Sequence, residues 1–156
     1  MSGDVWEHLV EIYLTRHRAV FVSPSYLIGE PGAWNACIDF LALDFSENAI
    51  WAVEVTAGAG FGKIGNKARE FDEKYAPRIR DQLNHDGMRM TDLMGWSIGL
   101  WAFVRSPWKK ECERQLSKTV RHWKVTDLEE TAFQWEYWDD RHRPMPPDYP
   151  GEPPRP

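Results

Sequence analysis

Two acids inside apolar runs constrain this chain more than anything else in it. Residues 34–56 read WNACIDFLALDFSENAIWAVEVT. The run 37–44 is apolar apart from Asp39 near its start and Asp44 at its end, and the run 50–56 is apolar apart from Glu54 near its end. Each has strand length, and Ser46, Glu47 and Asn48 between them supply turn residues, so an antiparallel hairpin is predicted. A carboxylate taken into an apolar strand costs several kcal/mol unless it is paired, hydrogen-bonded or bound to a cation. Taken singly, Asp39 reads as a strand-entry acid bonded to a loop. Glu54 reads as the partner of a basic residue on the next helix. Taken together, they invite a shared cation.

The rest of the chain supplies the setting. Residues 4–16 form a predicted helix capped by Ser2 or Asp4, with Trp6, Leu9, Val10 and Tyr13 as its apolar stripe. At 100° per residue Glu7 falls on the edge of that stripe. A short strand is expected over 19–23, and the prolines and glycines of 24–32 predict a loop. After the hairpin, glycines at 58, 60, 62 and 65 mark a close-approach loop. A helix follows over 63–75, restarts at Pro77 and ends near Asn84. Residues 88–95 fit no single pattern. Then come a buried strand over 96–105, a helix over 108–118 opened by Pro107, and an aromatic strand over 131–138. From Pro144 onward seven of thirteen residues are proline, an extended tail. The expectation is one α/β domain over 1–143, a mixed central sheet flanked by helices, with a proline-rich tail over 144–156.

Bulk properties narrow the function. The 156 residues carry net charge −5, which argues against non-specific coating of nucleic acid but leaves room for a local basic groove. Cys37 and Cys112 lack metal-site spacing, and none of the five histidines sits in a triad setting. The first residues carry acids where a leader peptide carries basic residues, and no apolar stretch reaches membrane-spanning length. A cytoplasmic protein is expected.

Asp39 and Glu54 on adjacent strands can converge on Mg²⁺ or Mn²⁺, with Glu7 as a third carboxylate. Such a cation lowers the pKa of a bound water and neutralises charge building up on phosphorus. In these features the chain resembles the PD-(D/E)XK phosphodiesterase superfamily, the restriction-endonuclease-like fold. That family's core runs helix, three strands, helix, strand, the order predicted over 4–105. Its motif is an acid in the second strand and then Glu/Asp-x-Lys at the end of the third. Asp39 matches the first acid. Glu54-Val55-Thr56 matches the second element, with Thr56 where lysine is expected. The resemblance implies an αβββαβ core, here extended by a C-terminal helix and strand, and Mg²⁺-dependent hydrolysis of nucleic-acid phosphodiesters, DNA ahead of RNA. It implies Asp39, Glu54 and the Val55 carbonyl as metal ligands with Glu7 assisting. Some relatives carry the basic residue on the following helix, where Lys63 and Lys67 stand. It also implies dimers, for which strand 131–138 offers an edge.

Three alternatives stand beside this. A degenerate site would leave a binding module without chemistry. Gly60-Phe61-Gly62-Lys63-Ile64-Gly65 fits a dinucleotide fingerprint, although its strand is hairpin-paired and no acid follows at the right distance. A Walker A loop fails, because Ala57 and Ile64 occupy required positions. Finally, Lys110, Arg114, Lys118 and Arg121 recur at helical spacing as a stripe able to track phosphates, flanked by Trp108 and Trp123 as stacking candidates.

Overall fold

The computed structural model describes residues 5–29, 35–88 and 95–133. Its five strands form one sheet in sequence order. Strands β1 (Val20–Gly29), β2 (Asn35–Asp44) and β3 (Ala49–Thr56) are an antiparallel meander. Strand β4 (Ser97–Val104) then runs parallel to β3, and β5 (Trp123–Asp127) parallel to β4. Parallel neighbours need crossovers. The first is α2 (Gly62–Arg69), a π-helical turn (Phe71–Tyr75) and α3 (Ala76–His85). The second is a 3₁₀ turn (Ser106–Trp108) and α4 (Lys109–Thr119).

Both crossovers cover one face of the sheet. Ile64, Ala68, Phe71, Ile79, Leu83, Cys112 and Leu116 bury against Ile28, Ile38, Ile50, Ala52, Leu100 and Val104. The other face takes α1 (Val5–Thr15) and α5 (Leu128–Phe133), where Val10, Leu14 and Leu128 meet Phe40, Ala42, Trp51, Val53 and Phe103. The result is a three-layer α/β/α sandwich with two half-cores. The hairpin turn is held by Asp44, whose Oδ1 accepts from the backbone N–H of Ser46 at 2.9 Å and of Glu47 at 3.1 Å. Asn48 takes the left-handed conformation that such turns favour (φ 53°).

Three expectations are corrected. Strand β1 extends to Gly29, through the stretch expected to be a loop. It is an edge strand, where proline is tolerated because one side of the strand needs no ladder donor. The helix expected over 63–75 ends at Arg69 and passes through the π turn, in which the Tyr75 N–H reaches the Glu70 carbonyl at 3.4 Å. Pro77 lacks an N–H and sits in the first turn of α3, so the π turn is where the two helices join. The last sheet strand is Trp123–Asp127, whereas residues 131–133 continue α5. The remainder of the expected strand, 134–138, with the dimer edge proposed on it, lies outside the described residues. So do the caps at Ser2 and Asp4, residues 89–94 and the tail 144–156.

One local irregularity positions everything that follows. Val20 and Val22 on β1 face the α1 layer, while Tyr26 and Ile28 face the α2–α4 layer. On β2, Phe40 and Ala42 face α1, while Ile38 faces α2–α4. Strict alternation would keep even-numbered positions on one face. Both strands therefore switch face together, at Ser25 and Asp39. These two positions are the ones the register skips between Pro24↔Phe40 and Tyr26↔Ile38, and Ser25 holds φ 50°.

Candidate functional site

Asp39 lies at that switch. The β2–β3 ladder runs from Asp44↔Ala49 to Phe40↔Val53, and beyond it the strands part. In the gap, Asp39 Oδ2 accepts the Val55 N–H at 2.8 Å, so a side chain replaces the ladder's carbonyl. Asp39 is half-buried.

Glu54 follows from strand alternation. Trp51, Val53 and Val55 face the α1 layer, and Ile50 and Ala52 face the α2–α4 layer, so Glu54 points beneath α2. It is only 1% exposed. Burial, reinforced by the nearby Asp39 charge, pushes its pKa up to about 7, while Lys67 and Lys63 pull the other way.

Lys67 answers that buried charge. It lies one turn after Lys63 on α2, and its Nζ donates to Glu54 Oε1 and, at 2.9 Å, to the Cys37 carbonyl of β2. One ammonium thus bridges β2 and β3 where they separate. Lysine is rarely buried unless paired, and Lys67 is 9% exposed. The expected pairing of Glu54 with a basic residue on the next helix is present. The Glu54 Oε2 oxygen, however, is buried with no hydrogen-bond partner among the described residues. A buried carboxylate oxygen left open is costly, and a cation is one way to satisfy it.

The remaining predicted residues fall as follows. Lys63 is exposed in the first turn of α2, close enough for its charge to act on Glu54. Thr56 ends β3, half-buried, opposite Val104. Glu7 is half-buried on α1, the layer on the opposite face from Glu54 and Lys67. Among the described residues no three His, Cys, Asp or Glu side chains form a metal-holding group, so Glu7 is not gathered with Asp39 and Glu54. That leaves two strand carboxylates, Asp39 and Glu54, where β2 and β3 part.

The basic stripe is only partly a unit. Lys110, Arg114 and Lys118 are exposed on α4, but that helix stops at Thr119 and Arg121 lies beyond it, its N–H donating to Asp72 at 2.9 Å. Arg114 is forked onto Glu111. Lys110 is near the β4 end that carries the site, and Lys118 lies about 12 Å further along the helix. Trp123 is half-buried against the α2–α4 core; Trp108 is 38% exposed.

The glycine-rich loop opens a helix between parallel strands β3 and β4, so β3 is hairpin-paired on one side and parallel-paired on the other. Gly65 packs against the end of the Gln115 side chain, which explains the last glycine as a helix–helix contact. Sequence reasoning missed the Cys37 carbonyl, a backbone atom with no side-chain signal, and Phe61, which reads as one residue of a loop. Compared with protein-family models, with curated proteins and with solved structures, the chain matches none.

Proposed function

We propose that this chain is a Mg²⁺- or Mn²⁺-dependent phosphodiesterase with a restriction-endonuclease-like core, acting on nucleic acid. The observation that carries the reading is the buried Glu54–Lys67 pair where β2 and β3 part, with Glu54 Oε2 unpartnered among the described residues and Asp39 near enough for its charge to act on Glu54. The order α1-β1-β2-β3-α2-β4, with β4 parallel to β3, supports it. Asp39, Glu54 and the Val55 carbonyl are the donors for the cation. When bound, it supplies Lewis-acid neutralisation of charge on the phosphodiester. The Val55 N–H fixes one Asp39 oxygen and orients the carboxylate. Lys67 takes the part of the lysine that Thr56 replaces: its ammonium orients the attacking water and stabilises phosphate charge. Lys63 adds a second positive charge at the mouth of the site, and Thr56 a hydroxyl donor.

A second reading rests on the same ion pair. Lys67 already neutralises Glu54, so the ammonium can stand in for the metal in a protein that binds nucleic acid or a partner without cutting. Incubation with single- and double-stranded DNA and RNA, with Mg²⁺ or Mn²⁺, separates the two. Cleavage that is lost in Asp39→Asn and Glu54→Gln, and reduced about 100-fold in Lys67→Ala, establishes the hydrolase. Cleavage of no substrate, or equal cleavage by the variants, overturns it.

A further inference from the structure

The site has a neighbour that its chemistry does not use. Thr56 and Val104 end adjacent parallel strands side by side. Five residues past Thr56 comes Phe61, and four past Val104 comes Trp108, each immediately before a helix. Their rings meet edge to face with centroids 6.5 Å apart. Phe61 rests on the α2–α4 core, but Trp108 belongs to neither core cluster and is 38% exposed. Part of the indole is buried, but 38% of the residue stays open to solvent at the rim, where Pro107 and the 3₁₀ turn place it.

The charges around this pair are unequal in availability. Arg105 and Lys109 are engaged by Glu129 and Glu130. Lys63 and Lys110, both exposed, have no ion-pair partner among the described residues. Aromatic rings with an uncommitted lysine two residues further along each helix suit a polynucleotide whose bases are open for stacking. In a duplex the base faces are already stacked on each other, so an aromatic platform at the rim has nothing to take except at an unpaired end.

Resting on the nuclease reading of the adjacent site, we propose that Phe61 and Trp108 form a base-stacking platform. By this account the chain takes single-stranded polynucleotide or an unpaired end, rather than continuous duplex. The platform holds a base beside the strand ends, and Lys63 and Lys110 hold the flanking phosphates.

The test measures binding without divalent metal. Fluorescence anisotropy in EDTA at low salt compares a labelled oligo(dT) 20-mer, an oligo(U) 20-mer and a fully paired, blunt-ended duplex of 20 base pairs. The expected result is at least tenfold tighter binding of single strands than of the duplex. Trp108→Ala should weaken single-strand binding about tenfold or more, and Trp108→Phe should retain most of it. Circular dichroism of each variant checks that it folds. Duplex bound as tightly as single strands, or a folded Trp108→Ala that binds oligo(dT) like the parent, overturns the platform. Preference for oligo(U) over oligo(dT), or the reverse, names the polynucleotide within the proposal. Single-strand binding without Mg²⁺-dependent cleavage keeps the platform and removes the nuclease. Cleavage without dependence on Trp108 does the opposite.

Discussion

Lys67 and Glu54 form a buried ion pair, and local stability depends on both members. Neither is stable in the interior alone. Removing one partner of a buried pair leaves an uncompensated charge and costs about 3 kcal/mol, whereas removing both costs far less. Lys67→Met is therefore expected to lower the urea midpoint strongly at pH 8, and the double variant Glu54→Gln/Lys67→Met to recover most of the loss. The pH dependence has a definite sign. Burial pushes the Glu54 pKa up to about 7 in the folded state, against about 4.5 when exposed. The folded protein then holds this proton more tightly than the unfolded chain. That contribution to stability is complete below pH 4.5 and is lost as pH rises to about 7. Chemical denaturation between pH 4.5 and 7 should show this decline in the parent and not in Glu54→Gln. In Lys67→Met the loss of the nearest cation should extend the decline above pH 7. A flat parent profile would mean that Glu54 ionises freely.

At the level of elements, the hairpin, α1 and the crossover from β3 to β4 were legible because their signals are local: apolar runs of strand length, turn residues, a helical stripe. What was not legible was set by neighbours. Pro24 and Ser25 read as loop, yet pairing with β2 carries β1 through them. The segment 123–127 alternates weakly and sits between a basic and an acidic stretch, and only its register with β4 makes it a strand. The two acids were visible, but the face switch at Ser25 and Asp39, which turns a strand acid into a ligand for the Val55 N–H, has no sequence signature. Lys67 could be named only as one of two. Both lie on one side of α2, and the choice of Lys67 over Lys63 follows from its place one turn further along the helix, where it is buried against β2 and β3 while Lys63 is exposed. Two glycines show the same dependence on neighbours. A Cβ at Gly99 would lie 2.5 Å from the Trp51 ring and 2.7 Å from the His122 carbonyl, both fixed. At Gly65 it would meet only the end of the Gln115 side chain. Gly99→Ala should therefore cost about 1–3 kcal/mol through overpacking. Gly65→Ala should cost under about 1 kcal/mol, since Gln115 can swing aside and alanine favours the helix. Equal losses in thermal denaturation would contradict the tight fit of β3 and β4 around Trp51.

Over the whole molecule the net charge of −5 opposes polyanions, so any nucleic-acid contact must be confined to where cations are uncommitted. No helix among the described residues is long and apolar enough to cross a membrane. The basic residues are dispersed by the fold. Arg105, Lys109, Arg114 and Lys124 are held by Glu129, Glu130, Glu111 and Glu47. Lys118 and Arg121 lie away from the strand ends that carry Asp39 and Glu54. Lys63 and Lys110 remain at the site's rim. A short single strand bound there neutralises about two or three phosphates, and each contributes about −0.7 to the dependence of log K on log salt. The expected slope is therefore shallow, about −2, unlike that of a protein coating nucleic acid along a basic stripe. Lys110→Ala should weaken binding and flatten the slope by about 0.7, while Lys118→Ala and Arg121→Ala should leave both unchanged. Anisotropy titrations of oligo(dT) at several salt concentrations read both quantities. A steep slope, or equal losses in all three variants, would return the contact surface to the full length of α4 and detach it from the Asp39, Glu54 and Lys67 site.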